Sequence, residues 1–188
     1  MNRREAINRV AIILGGSIIG ADFFLSGCNS NPKQVNDLFT ADDIAFFNEV
    51  AETILPETST PGARAVNVGS FMALMVQDCY SPGEQQVFIN GIADLQERSK
   101  EQFGEKFMAL DAAQKNELLN MLDKAQKDAV KSQKPGDPVH YFRMMKELTL
   151  LGYFTSEAGC TKALRYVPVP GKYIGCIPYK KGDKAWAT

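Results

Sequence analysis

The chain has 188 residues, 45% hydrophobic and 23% charged, which is the size and balance of one globular domain. Its 21 Lys and Arg residues stand against 22 Asp and Glu, a formal net charge of −1, so no basic field exists to hold nucleic acid. One histidine and four cysteines leave little material for acid–base or metal chemistry.

Residues 1–27 read as a targeting segment and are set aside from the fold. Arg3, Arg4 and Arg9 form a basic start, and residues 10–20, VAIILGGSIIG, are apolar. Leu25-Ser26-Gly27-Cys28 then resembles a bacterial lipobox, which places cleavage before Cys28 and a lipid on its thiol. Gly15, Gly16, Gly20 and Asp22 interrupt the apolar run, which falls short of the roughly 20 clean residues of a membrane-spanning helix. Arg3 and Arg4, with Ile7 three positions on, resemble a twin-arginine export signal, although the usual aromatic residue and leucine are missing. The signal takes three basic and two acidic residues with it, which leaves a mature chain of 161 residues with 18 basic and 20 acidic, a net charge of −2. The expected address is the bacterial cell envelope, with the protein lipid-anchored to a membrane and facing the periplasm.

Export puts Cys79, Cys160 and Cys176 in an oxidising compartment, and three thiols allow at most one internal disulfide. A Cys160–Cys176 bridge is preferred, because it closes an aromatic loop and constrains the unfolded chain by about 3 kcal/mol. Cys79 buried beside one of the other two is the alternative, and spacing does not choose between them.

Residues 28–39 are polar and read as a tether to a domain over 40–188. Thr40 caps the first helix, with Asp43 in its first turn and Ile44, Phe47, Ala51 and Ile54 at helical spacing. Pro56 ends it, and a turn-forming loop follows to Ala63. A second helix starts at Asn67 or Val68, with Phe71, Met72, Met75 and Cys79 on one side. Ser81-Pro82-Gly83-Glu84 spells a cap, a proline at the first position and a capping-box glutamate. That third helix runs to about Lys100, with Phe88, Ile92 and Leu95 inward and Gly104 as its break. Asp111 and Gln114 open a fourth helix with Leu118, Leu119, Met121 and Leu122 as its stripe and a charged, solvated end over 124–134. Pro135-Gly136-Asp137-Pro138 breaks the chain. A fifth helix over 139–151 buries Tyr141, Phe142, Met145, Leu148 and Leu151 and ends at Gly152. A short sixth helix, capped by Thr155 or Ser156, runs through Leu164. The expected fold is therefore all-α: a single domain of about five to six helices followed by an irregular, Gly/Pro/Tyr-rich C-terminal segment.

Residues 150–179 stand apart. They hold four of the six tyrosines and seven Gly or Pro residues, so they form neither one long helix nor a disordered tail. They read as an ordered, irregular surface packed on the helices or on a partner. Catalytic material is scarce elsewhere. His140 sits at a helix start, where capping accounts for it, and without it no Ser-His-Asp triad can be built. A zinc site from Cys79, Cys160, Cys176 and His140 lacks close Cys–Cys spacing. No C-x-x-C, P-loop or dinucleotide fingerprint is present, and Asp42 and Asp43 lie where a helix start wants carboxylates. No catalytic, cofactor-binding or metal-ligating residue is assigned to this chain.

Five blocks, ILPETSTPGA at 54–63, LTLLGYFTSE at 148–157, ALRY at 163–166, PVPG at 168–171 and KAW at 184–186, resemble in order the gluconate 2-dehydrogenase subunit 3 family. The likeness spans about residue 39 to the C-terminus. It implies a small helical accessory subunit, itself without a cofactor, beside a large FAD-dependent dehydrogenase of the glucose–methanol–choline type that oxidises sugars or sugar acids. In some such systems a cytochrome c subunit takes the electrons. The resemblance also implies that the small subunit helps its partner mature and carries the export signal for the pair. The lipobox departs from members with plain export signals and points to direct membrane tethering. Tyr153, Phe154, Tyr166 and Tyr173 are the expected partner-facing residues. The competing expectation is a free-standing envelope lipoprotein that binds a sugar or another protein.

Overall fold

The computed structural model describes residues 35–187 apart from Pro135, Pro170 and Tyr173. Arg3, Arg4, the lipobox and Cys28 lie outside the described residues, as does Tyr173. Among the described residues the fold is all-α, with α1 (Ala41–Ile54), α2 (Val68–Cys79), α3 (Pro82–Phe103), α4 (Ala112–Ser132) and α5 (Tyr141–Phe154). Single 3₁₀ turns at Arg64–Val66 and Phe107–Ala109 lead into α2 and α4, and a π-helical turn at Gly159–Ala163 follows α5. No described helix is long and apolar enough to cross a membrane.

The helix starts follow from local chemistry. Thr40 and Asp43, Ser81 and Glu84, and Asp111 and Gln114 each form a reciprocal capping box, and Pro82 occupies the first turn of α3. Each cap satisfies backbone donors that the helix itself leaves free, a contribution of about 1 kcal/mol apiece. His140 caps α5: its Nδ1 accepts the Phe142 N–H at 3.2 Å.

Packing centres on α5, which touches all four other helices, while α1 and α2 form the closest pair. Phe46, Phe47 and Val50 of α1, Met72 and Val76 of α2, Phe88 and Leu95 of α3, and Leu118 and Leu122 of α4 meet Phe142, Met145 and Leu148 of α5 in one core. The chain before α1 joins it. Phe39 is buried, edge-on to Phe47 at 5.2 Å and to Phe88 at 6.1 Å. Asn36 accepts the backbone N–H groups of Leu38 and Phe39 and donates to the Ala73 carbonyl. The packed unit therefore begins at Asn36, a few residues before the boundary read from the sequence.

Side-chain directions correct several sequence readings. The α2 face that enters the core is Val68, Gly69, Met72, Ala73 and Val76, and Cys79 is exposed, so it is not buried beside Cys160 or Cys176. Met121 and Leu151 project outward. Gly152 does not stop α5, which runs on to Phe154. A Cβ on Gly152 would lie 2.6 Å from the Phe71 ring, so the missing side chain serves the α2–α5 contact.

The α1–α2 crossing is tighter still. A Cβ on Gly69 would lie 2.5 Å from the Ile44 carbonyl oxygen, a backbone atom that cannot swing away. Asn48 of α1 accepts the Gly69 N–H at 2.8 Å and donates to Asn67 Oδ1 at 2.9 Å, which holds Asn67 in the left-handed region at φ 53°. Between α4 and α5, Asp123 accepts from Lys127 and from Lys146, both at 2.6 Å. The Lys127 ammonium first, and then Lys146, hold its carboxyl at about 2, below the ordinary 3.8.

Gly69→Ala should destabilise the fold by about 1–3 kcal/mol through overpacking. Gly83→Ala, with open space around its Cβ, should leave stability unchanged or slightly raised in the same urea titration. Equal effects would contradict the close crossing. Because the folded-state pKa of Asp123 is depressed, its contribution is present above about pH 4 and is lost as pH falls through about 2. That contribution is on the order of 1 kcal/mol after solvent screening. Asp123→Asn should therefore cost that amount at pH 7 and nothing near pH 1.5, read from paired unfolding curves at the two pH values.

Candidate partner-docking surface

Beyond α5 the chain leaves the helical body as an arm. Its exit is shaped by the end of α5: Thr155 N–H donates to the Leu151 carbonyl at 3.0 Å, and Ser156 Oγ donates to the Tyr153 carbonyl at 2.6 Å. Ser156 Oγ also accepts the Gly159 N–H at 3.0 Å, which starts the π turn. The arm departs at Arg165 and returns there. Arg165 N–H donates to the Ala185 carbonyl at 2.8 Å, and Ala187 N–H donates back to the Arg165 carbonyl at 3.0 Å. The Arg165 guanidinium lies 4.8 Å from the centre of the Trp186 ring, and Lys184 Nζ donates to the Lys162 carbonyl. These contacts close the arm at its base. A turn just before the arm rejoins its base is set by Asp183, whose carboxylate accepts the Lys180 N–H at 2.9 Å, with Gly182 at φ 97°.

Between those ends every described residue from 166 to 186 is exposed. Val169 is 80% and Tyr179 76% accessible, and Tyr166, Val167, Ile174, Ile177 and Trp186 are also open to solvent. This is the largest group of exposed apolar side chains in any one described segment, which makes it the candidate for a docking surface.

The expected partner-facing residues divide. Tyr166 is exposed on the arm. Phe154 is half-buried, edge-on to the Tyr153 ring at 5.1 Å. Tyr153 is not partner-facing: it is only 4% accessible, and its hydroxyl donates to the Pro61 carbonyl at 2.6 Å, so it belongs to the core. Cys160 and Cys176 are free thiols in this structure; Cys160 Sγ donates to the Phe154 carbonyl at 3.0 Å, and Cys176 is exposed. Sequence reasoning did not place Val167, Val169, Ile174, Ile177, Tyr179 or Trp186 among the partner-facing residues, although Val169 and Trp186 fall in the family-like blocks at 168–171 and 184–186. Their signal was an apolar series broken by Pro and Gly, which reads equally well as a buried extended segment.

The remaining chemistry on the body is structural. His140 stacks on Tyr141 at 4.7 Å, and burial pushes its pKa below the ordinary value, against the pull of the Asp94 charge. A neutral ring suits its role as acceptor in the α5 cap. Tyr141 donates to Asp94 at 2.5 Å, and burial first, then that bond, raises its hydroxyl pKa. Glu52 accepts the backbone N–H groups of Glu57 and Arg64 and so fixes both ends of the 56–63 loop. Glu49 is paired with both Arg64 and Lys115. No group of three or more His, Cys, Asp or Glu residues placed to hold a metal ion occurs among the described residues.

The model of a family described as gluconate 2-dehydrogenase subunit 3 matches residues 41–171. The match takes in all five helices and the first part of the arm. No curated protein and no solved structure matches the chain.

Tyr153→Phe should cost about 1 kcal/mol, the value of one buried hydrogen bond, because the Pro61 carbonyl loses its donor. Tyr166→Ala and Tyr179→Ala should each shift stability by less than about 0.5 kcal/mol. Thermal unfolding of the three variants side by side checks this, and a large loss at Tyr179 would place the arm in the fold.

Proposed function

Because the chain belongs to the gluconate 2-dehydrogenase subunit 3 family, we propose that it is the non-catalytic small subunit of an envelope oxidoreductase complex. In this reading it escorts, stabilises and tethers a large FAD-dependent dehydrogenase of the glucose–methanol–choline type that acts on a sugar or sugar acid. Catalysis and FAD reside on that partner, and a cytochrome c subunit receives the electrons where one is present. The single observation that supports the reading is the arm: a clamped, exposed, aromatic and aliphatic segment on an otherwise self-contained helical body.

The escort role rests on the signal. Arg3 and Arg4 would direct the assembled pair through twin-arginine export, which carries folded cargo. Cys28, lipidated after cleavage, would hold the complex on the membrane facing the periplasm. Several acyl chains suffice for stable attachment, where one alone holds weakly.

Co-expression with the large flavoprotein subunit tests both parts. The pair should co-purify from the envelope fraction, and omitting this chain should leave the dehydrogenase in the cytoplasm and inactive. Cys28→Ser should shift the active pair from membrane to soluble periplasm with its specific activity retained. Normal export and activity of the dehydrogenase without this chain would end the escort reading.

A further inference from the structure

Charge is segregated along the chain. Residues 36–157 carry 11 basic and 19 acidic side chains, a net of −8. Residues 158–188 carry six basic side chains (Lys162, Arg165, Lys172, Lys180, Lys181 and Lys184) and one acidic, Asp183, a net of +5. A basic, apolar arm tethered to an acidic body has both electrostatic and hydrophobic reasons to fold back on it. It does not. Each ion pair among the described residues joins two groups of the helical body, and Lys172, Lys180 and Lys181 have no ionic partner among them. The apolar side chains beside those lysines stay in solvent.

We propose that the arm is a docking hook anchored at its base, and that its occupant is an acidic-rimmed, apolar groove on the large subunit. Val169, Ile174, Ile177 and Tyr179 fill the floor of that groove, and Lys172, Lys180 and Lys181 pair with carboxylates on its rim. This rests on the small-subunit reading and adds the chemistry of the contact. Three features of the arm suit the role. Its base is clamped by Arg165 and Trp186, and the adjoining 180–183 turn is set by Asp183 and Gly182, so the points where the arm leaves and rejoins the body are fixed before the partner arrives. Its aromatic and aliphatic groups are of the kind that anchor interfaces when desolvated. Its charge complements an acidic rim, which speeds encounter and fixes register.

A protein groove fits better than a lipid surface. Lys172 lies between the apolar pair Val167 and Val169 on one side and Ile174 and Ile177 on the other. Sinking both groups into hydrocarbon would carry its ammonium with them, which is costly. A protein groove can supply a carboxylate at that point.

The test uses the mature chain and its co-expressed large subunit, with affinity measured at low and high salt. Two variants are compared with wild type: Lys172→Glu/Lys180→Glu/Lys181→Glu, and Ile177→Ser/Tyr179→Ser. All five side chains are exposed, so both variants should keep the wild-type unfolding midpoint. The charge reversal should weaken binding at least about tenfold and flatten its salt dependence, and the apolar variant should weaken binding while keeping the salt dependence. If wild type binds and both variants bind equally well, the hook is overturned and the subunit reading stands. If wild type does not bind the large subunit at all, the subunit reading fails and the hook with it. If the variants keep subunit binding but, in a Cys28→Ser background without the lipid, lose binding to vesicles of phosphatidylglycerol and phosphatidylethanolamine that Cys28→Ser alone retains, the arm is a membrane contact and the proposal is wrong.

Discussion

The structure depends on one central helix that every other helix packs against. Tyr141, Phe142, Met144, Met145, Leu148, Thr149, Gly152 and Tyr153 of α5 are all buried, and each of the other four helices packs on it. A fully buried Phe, Leu or Met contributes about 1.5–3 kcal/mol relative to exposure, so this one 14-residue element anchors much of the core. Its polar groups are satisfied from within: Thr149 Oγ1 donates back to the Met145 carbonyl at 2.8 Å, and Tyr141 and Tyr153 send their hydroxyls to Asp94 and Pro61. Packing against four helices demands close approach, and Gly152 against Phe71 supplies it on the α2 side.

Two contacts bring distant sequence blocks together, one of them through this helix. The blocks at 54–63 and 148–157 meet through the Tyr153 hydroxyl on the Pro61 carbonyl. With Glu52 accepting from Glu57 and Arg64, that bond gives the 56–63 loop one shape. The blocks at 163–166 and 184–186 meet in the Arg165–Trp186 clamp. One contact closes the helical body under its loop, and the other closes the arm. Both contacts are structural: each joins segments that lie far apart in the chain.

Local chemistry was the legible part of the sequence. Thr40, Ser81 and Asp111 with their partners three residues on specify helix starts by hydrogen bonds within one turn, and nothing distant alters them. His140 as a cap is of the same kind. What failed depended on neighbours in space. Gly152 has the look of a stop signal until Phe71 of another helix is placed against it. Tyr153 and Tyr166 look alike in sequence, and the Pro61 carbonyl is what draws one inward. Cys79 falls at a plausible core spacing, but α2 turns its Val68, Met72 and Val76 face to α1 and α5 and leaves the thiol outside. The family resemblance was carried by whole blocks, and it survived these errors because none of them moved a helix.

Separation of fold from arm is the feature with most bearing on function. No described residue of 167–184 belongs to the core or to the hydrophobics packed against it. The helical body therefore gains no stability from these side chains, and their exposure carries a cost in apolar hydration with no return inside this chain. A loop that leaves and returns at one clamp perturbs the body only at that point, and lengthening such a loop costs little. The match to the family ends at Gly171, whereas Ile177, Tyr179, Lys180 and Lys181 lie beyond it on the far half of the arm. Residues on that half of the arm can therefore change without touching α5 or its contacts.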